Sequence, residues 1–94
     1  MTAREAQLRD YRAAFLRYLS RREESALHSG YQLGRGVLAD GRSMLEVVQV
    51  HHDVLAEVLR DSPAAEVPLV ARVASDFLVE VLASYDMARR GPDP

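Results

Sequence analysis

The segment from Ser43 to Arg60 constrains the fold most, because it is apolar around most of a helix. At about 100° per residue, its polar side chains fall within an arc of roughly 80°. These side chains are Glu46, Gln49, Asp53, Glu57 and Arg60. Leucine and valine occupy most of the remaining circumference, and such a helix must be covered on two sides. We therefore expect it to be the central helix of a bundle, with its second apolar flank covered by a neighbouring helix or by another subunit.

Hydroxyl residues three positions before a glutamate mark three predicted helix starts. In this capping box the hydroxyl accepts a hydrogen bond from the backbone N–H three residues on, and the glutamate reaches back to the N–H of the cap. The pattern occurs at Thr2 with Glu5, at Ser20 with Glu23, and at Ser43 with Glu46. It predicts helices over about residues 3–19, 21–39 and 43–60.

Glycine and proline set the remaining boundaries. Asp40-Gly41 predicts a left-handed stop after the second helix. Pro68 is tolerated only in the first turn of a helix, so the fourth helix is expected to start near Val67 and to run to about Arg89. Its wide apolar face contains Val70, Val73, Ala74, Phe77, Leu78, Val81, Leu82 and Tyr85. Val79 falls beside the opposite, polar stripe.

Two glycines inside the second helix predict a close helix contact. Gly30 and Gly34 lie four residues apart. Because glycine costs about 1 kcal/mol relative to alanine inside a helix, both indicate the approach of another backbone. Strand patterns are absent from the sequence. We therefore predict an all-α four-helix bundle over residues 1–90, with residues 91–94 starting a linker or tail.

Composition excludes several classes of function. A net charge of −2 over 94 residues argues against a nucleic-acid partner. The sequence has no signal peptide and no apolar run long enough to cross a membrane, and this is compatible with a cytoplasmic protein. Without cysteine there is no thiolate nucleophile and no cysteine-based metal site. All 12 basic residues are arginine, which excludes every mechanism that uses a lysine.

His51 and His52 are the residues of the apolar arc that could carry chemistry. Adjacent residues on a helix project about 100° apart, so both cannot readily reach one metal ion. We interpret them as partly buried, hydrogen-bonded packing residues, and we predict no metal site, no cofactor and no catalytic residue. The alternative from another class is a small metal-dependent enzyme that uses His28, His51 and His52.

Several short motifs, taken in order, resemble a known family. They are Leu27 followed by Tyr31-Gln-Leu-Gly-Arg35, then Val50-His51-His52-x-Val54-Leu55, then Asp76-Phe77-Leu78-Val79-Glu80-Val81-Leu82 with Tyr85-x-Met87-Ala88. Their order and spacing resemble the N-terminal domain of the RsbU-type phosphoserine phosphatases, over roughly Tyr11 to Gly91. That family is structurally akin to the dimerising domain of the circadian protein KaiA.

The resemblance implies a four-helix bundle that forms homodimers and is not itself catalytic. In the family, this domain recruits an RsbT-type switch protein kinase, and binding activates a PPM-type serine phosphatase domain further along the chain. The phosphatase then acts on an anti-sigma-factor antagonist and so releases a general-stress sigma factor. The expected setting is therefore a bacterial partner-switching stress response.

The kinase-contacting face of the family lies on the second and fourth helices. The matching positions here are Glu24, His28, Val79 and Ala83. Glu24 keeps its residue type and Val79 stays aliphatic, whereas His28 replaces an aromatic residue and Ala83 a larger aliphatic one. Two other interpretations stay open. One is a constitutive homodimerisation domain of another signalling protein, such as a sensor kinase, and the other is a stand-alone adaptor.

Overall fold

The computed structural model describes residues 2–91, apart from the side chains of residues 3 and 4. Four α-helices follow one another, α1 (Ala3–Arg21), α2 (Glu24–Ala39), α3 (Met44–Asp61) and α4 (Val67–Arg90), with a short 3-10 helix at Ala64–Glu66. Residues 2–91 contain no strand, so the predicted all-α four-helix fold is confirmed. Most of the predicted tail, Pro92 to Pro94, lies outside the described residues.

Two of the three predicted caps start helices. The Thr2 hydroxyl accepts from the Glu5 backbone N–H at 3.1 Å and the Glu5 carboxylate accepts from the Thr2 N–H, which completes a capping box. Ser43 also caps its helix, although its hydroxyl accepts from the backbone N–H of Leu45 and not of Glu46. Both serve N–H groups that the first turn of a helix leaves without an intrahelical partner.

The predicted helix start at Ser20 is wrong. Helix α1 continues through Ser20 to Arg21 and ends at Arg22, which adopts a left-handed conformation with φ of 56°. The N-cap of α2 is Glu23 itself, which makes no side-chain capping bond. The second helix therefore begins at Glu24, three residues later than the sequence pattern predicts.

The other boundaries agree with the predictions. Helix α2 ends before Asp40, and Gly41 adopts a left-handed conformation with φ of 66°. Helix α4 begins at Val67 and holds Pro68 in its first turn, where a missing backbone N–H has no intrahelical acceptor to lose. The short 3-10 helix that leads into it was not predicted, and its Glu66 N–H donates to the Pro63 carbonyl oxygen at 2.9 Å.

The centre of the bundle differs from the expectation. Helices α2 and α4 pack against each other most extensively, and α3 lies to one side against α1 and α4. The prediction of α3 as the central helix is therefore wrong, since only Val47, His51 and Val54 of this helix are buried. Its remaining apolar side chains are only partly covered, and Leu45 is 64% exposed. Within residues 2–91 no helix is long and apolar enough to cross a membrane.

Candidate protein-binding face

Helices α2 and α4 make a close contact around Gly34. A Cβ atom at Gly34 would collide with the backbone carbonyl oxygen of Val81 and with Oγ of Ser84. One turn earlier, a Cβ atom at Gly30 would come within 2.9 Å of the Phe77 ring. Ser84 is fully buried, and its hydroxyl donates to the Val81 carbonyl oxygen at 2.9 Å. The predicted approach of another backbone is confirmed at Gly34, where α4 provides it, whereas Gly30 faces the side chains of Phe77 and Val81.

Two residues of the site implied by the resemblance, Glu24 and His28, line a groove between the outer sides of α2 and α4. Leu27, Tyr31 and Glu80 complete this groove, whose volume is about 370 Å³. The imidazole of His28 stacks on the Tyr31 ring with 6.3 Å between the ring centroids and 8° between the planes. Because Glu24 and Glu80 place two carboxylates around one small volume, the groove favours a partner with a cationic group.

The groove continues beyond Tyr31 towards the C-terminal end of α4. A second depression of about 420 Å³ is lined there by Tyr31, Arg35, Met87, Ala88 and Gly91. The exposed guanidinium of Arg35 makes this end positive, whereas Glu24 and Glu80 make the other end negative. The groove therefore carries negative charge at one end and positive charge at the other, and this distribution would orient a partner as well as bind it.

The other two implied residues, Val79 and Ala83, lie one turn apart on the exposed side of α4. Val79 is 61% exposed, and Met87, one turn beyond Ala83, is 60% exposed. Residues four apart share one side of a helix, so Val79, Ala83 and Met87 form an apolar strip on the surface. We refer to this strip together with the groove lined by Glu24, His28, Tyr31 and Glu80 as the α2–α4 face.

Sequence reasoning missed three residues of this face. Met87 could have been selected, because it lies four residues after Ala83 on the same side of α4. Tyr31 and Glu80 meet only because of the way α2 is rotated against α4, and no local pattern encodes that rotation. The sequence also placed Leu82 on the buried side of α4, whereas its side chain is 36% exposed.

His51 belongs to the core and not to a surface site. It is 3% exposed, its ring stacks on Phe15 at 4.2 Å between centroids, and its Nδ1 lies 2.6 Å from the hydroxyl oxygen of Tyr11. Burial, with a contribution from the neighbouring His52, lowers the pKa of His51 to about 4. The predicted packing role is confirmed for His51. It is wrong for His52, whose side chain is exposed.

The carboxylate pair Asp53 and Glu57 does not converge on a catalytic partner. Glu57 accepts two hydrogen bonds from the Arg12 guanidinium, at 2.8 and 3.1 Å, and so joins α3 to α1. These bonds and the positive charge of Arg12 hold the pKa of Glu57 below its ordinary value. Among the described residues, no group of three or more histidine, cysteine or acidic side chains could hold a metal ion.

Comparison with known protein families identifies the fold. The model of one family, the N-terminal domain of the phosphoserine phosphatase RsbU, matches residues 9–88. The chain belongs to this family. The match reaches all four helices and includes every residue of the α2–α4 face, and it concerns the N-terminal domain of RsbU and not the phosphatase domain. A search of curated proteins and a search of solved structures each found no significant match.

Membership of the RsbU N-terminal family agrees with the resemblance of the sequence motifs. It supports a regulatory role, since the domain lacks the phosphatase part of RsbU. The candidate residues Glu24, His28, Val79 and Ala83 all lie within the matched range.

Proposed function

We propose that this RsbU N-terminal domain is a non-catalytic module that binds an RsbT-type switch kinase through its α2–α4 face. The module acts as a homodimer in the cytoplasm, within a bacterial partner-switching stress response. Binding of the kinase favours the dimer arrangement in which an attached PPM-type serine phosphatase domain is active. The kinase can shift this equilibrium only to the extent that it binds one arrangement more tightly than the other.

The observation that carries the proposal is the exposure of Val79 beside the acidic groove. An aliphatic side chain that is 61% exposed gains from burial against a partner. The carboxylate of Glu80, next in the chain, and that of Glu24 across the groove supply charge that discriminates between partners. Apolar contact surrounded by charge is the usual composition of a protein interface.

Close packing of α2 on α4 supports the same role. The contact of Gly34 with Val81 fixes the separation of the two helices, so the groove and the apolar strip keep one relative position. A preformed face of this kind loses little conformational entropy when a partner binds. The RsbU N-terminal fold therefore offers a rigid surface that includes all four candidate residues.

Substitution of Val79 by aspartate tests the proposal. Calorimetric titration of an RsbT-type kinase from the same genome should show at least about tenfold weaker binding by Val79→Asp, because a buried apolar contact becomes a buried charge. Leu69→Asp is the matched control, since Leu69 is 54% exposed on the same helix but lies outside the α2–α4 face. Equal affinities of wild type and folded Val79→Asp would contradict the docking site.

Charge reversal at Glu24 provides a second, independent test. Glu24→Lys places a cation in a groove that otherwise contains the carboxylate of Glu80. The variant should lose affinity for the kinase, and the loss should shrink as salt is added, because salt screens interactions between exposed charges. A loss that does not depend on salt would point to a structural effect of the substitution.

The second candidate function is a constitutive homodimerisation domain without a switch kinase, for example in a sensor kinase. It is favoured by His28 and Ala83, which differ in size from the residues that the family pattern places there. A chain that dimerises but shows no heat of binding with any RsbT-type kinase of its genome would support this alternative.

A further inference from the structure

The two carboxylates in the groove of the α2–α4 face have no cationic partner among the described side chains. Glu24 is exposed and Glu80 is half-buried, and both line the same volume of about 370 Å³. Within the part of the chain that the structure describes, neither carboxylate takes part in a hydrogen bond or an ion pair. A half-buried carboxylate has lost part of its hydration, so a cation that binds it restores favourable interactions.

Other acidic residues of the bundle show which cation this chain normally provides. Glu57 binds the guanidinium of Arg12 through two hydrogen bonds. Asp86 pairs with Arg89 at 3.5 Å and with Arg90 at 3.1 Å. The described arginines leave the groove carboxylates without such a partner, so we expect the cation to come from another molecule.

The groove also contains two parallel rings. The planes of His28 and Tyr31 differ by 8°, with 6.3 Å between the ring centroids. Nε2 of His28 lies 3.3 Å from Nε2 of Gln32, so the imidazole is hydrogen-bonded within α2 and not to either carboxylate. A flat cation that lies against one of these rings is aligned with the other, and the electron-rich face of tyrosine attracts it.

These features match a guanidinium better than an ammonium. A guanidinium is planar, so it can stack on a ring while the N–H donors around its edge point at carboxylates. A fork of donors also suits Glu24 and Glu80, which come from different helices. The ammonium of lysine is compact and strongly hydrated, and it does not stack in this way. Leu27 adds apolar surface for the methylene stem of an arginine.

The surroundings of the groove favour a protein side chain over a free small cation. Arg35 is exposed at the far end of the groove and repels a cation there, so binding is favoured beside Glu24 and Glu80. Val79 immediately precedes Glu80 and is 61% exposed. A protein covers this apolar side chain as well as filling the groove, whereas a free cation leaves it in water. Charged contacts at the edge of apolar ones are usual in protein interfaces.

We propose that the groove receives an arginine side chain of the partner, whose guanidinium lies against the rings of His28 and Tyr31 and binds the carboxylates of Glu24 and Glu80. This inference rests on the proposed function, because it names the group with which the kinase contacts the groove. It adds a requirement on the partner, which must present one exposed arginine that lysine does not replace.

Replacement of a groove carboxylate by its amide tests the contact. Glu80→Gln keeps the shape of the side chain and removes its charge, so calorimetry should show about three- to tenfold weaker binding of the kinase. Asp53→Asn is the matched control, since it removes one negative charge from an exposed residue of α3 and should leave the affinity unchanged. Unchanged affinity in both Glu80→Gln and Glu24→Gln would overturn the arginine contact.

A double-mutant cycle identifies the residue of the partner. Each exposed arginine of the kinase is replaced in turn by lysine, and binding is measured to the wild-type domain and to Glu80→Gln. One replacement should weaken binding to the wild type at least about threefold and add little in Glu80→Gln, because the two groups act as one pair. Independent effects for every arginine would overturn the contact, and coupling to a lysine of the kinase would overturn the choice of a guanidinium.

Tyr31 separates stacking from attraction between charges alone. Tyr31→Phe keeps the aromatic ring and should bind the kinase like the wild type, whereas Tyr31→Leu should bind about two- to fivefold more weakly. Urea denaturation of both variants shows whether they are folded under the conditions of the titration. Equal affinities of the two folded variants would overturn stacking on Tyr31.

A small probe tests the groove without the kinase and keeps the two proposals apart. N-acetyl-arginine methylamide in excess should shift the backbone amide NMR signals of Leu27 and Tyr31, and the lysine analogue should shift them less. Absence of these shifts, or equal shifts in Glu80→Gln, would overturn the guanidinium site. Loss of kinase binding in Val79→Asp but in neither glutamine variant would overturn only this inference, whereas a kinase that does not bind the wild type would overturn the proposed function.

Discussion

The hydroxyl oxygen of Tyr11 and Nδ1 of His51 lie 2.6 Å apart inside the core and fix α1 against α3. Tyr11→Phe removes the hydroxyl and leaves a buried imidazole nitrogen without this partner. Loss of a buried hydrogen bond of this kind should lower the free energy of unfolding by about 1 to 3 kcal/mol. Urea denaturation measures the difference, and His52→Asn, a change at the exposed neighbour, should stay close to wild type. An unchanged midpoint for Tyr11→Phe would contradict the role of the bond.

The lowered pKa of His51 makes stability depend on pH in a defined direction. Its pKa is about 4 in the folded chain and 6.5 by its ordinary value, so the unfolded chain takes up the proton first. The stability that the neutral imidazole contributes to the fold is complete above pH 6.5 and is lost as the pH falls through about 4. Imidazole NMR should show a midpoint for His51 near pH 4. A midpoint near 6.5 would show that the ring is open to water.

Alanine substitution should have opposite effects at two glycines of α2. In Gly34→Ala the new methyl group meets the Val81 carbonyl oxygen and the Ser84 hydroxyl, and the resulting overpacking should cost about 1 to 3 kcal/mol. In Gly36→Ala the nearest side-chain atom, Nε2 of Gln7, is 3.5 Å away, so the higher helix propensity of alanine should stabilise the fold by up to about 1 kcal/mol. Thermal unfolding measures the melting temperature of each variant. Equal changes of the melting temperature in both variants would refute the close contact at Gly34.

Alanine substitution should affect stability differently at Ser43, which caps a helix, and at Ser20, which lies within one. Ser43→Ala removes the acceptor of the Leu45 N–H and should cost about 1 kcal/mol of stability. Ser20→Ala should be neutral or slightly stabilising, because Ser20 lies inside α1 and alanine has the higher helix propensity. Chemical denaturation of the two variants measures the contrast. A cost at Ser20 as large as that at Ser43 would restore the capping role that the sequence pattern predicted.

Substitution of Met87 tests how much of the α2–α4 face the partner covers. If the partner covers the whole apolar strip of α4, Met87→Asp should weaken kinase binding by about as much as Val79→Asp, because both side chains are about equally exposed. Calorimetry with the same kinase gives the comparison, again with Leu69→Asp as the control. Unchanged affinity in Met87→Asp would confine the contact to the Glu24 end of the groove.

Helix starts were predictable where the decisive contacts are local. Thr2, Ser43 and Pro68 act within one turn of their own position, and the sequence is enough to place them. Ser20 has the same local pattern as Ser43, but α1 continues two residues beyond its predicted end, to Arg21, before Arg22 turns left-handed. Whether α1 ends or α2 begins at Ser20 depends on packing between the helices, and a capping pattern in the sequence carries no information about that packing.

The candidate site was predictable only in part, for a similar reason. Glu24, His28, Val79 and Ala83 came from resemblance to the family, and the structure adds that the first two line a groove and the last two lie on an exposed strip. The partnership of Tyr31 with Glu80 across that groove depends on the rotation of α2 against α4. Likewise, the sequence showed that α3 is apolar on two sides, but not that Leu45 on one of them is 64% exposed.

Contact of the Gly34 backbone with the Val81 carbonyl has a consequence for how α2 and α4 can move. Only the small side chain of Ser84, hydrogen-bonded to the Val81 carbonyl oxygen, lies between the helices at that point, so few changes of rotamer can alter their separation. We therefore expect α2 and α4 to move together as one unit. Because α4 extends to Arg90, we expect a displacement of α2 at the groove to shift the C-terminal end of α4 as well.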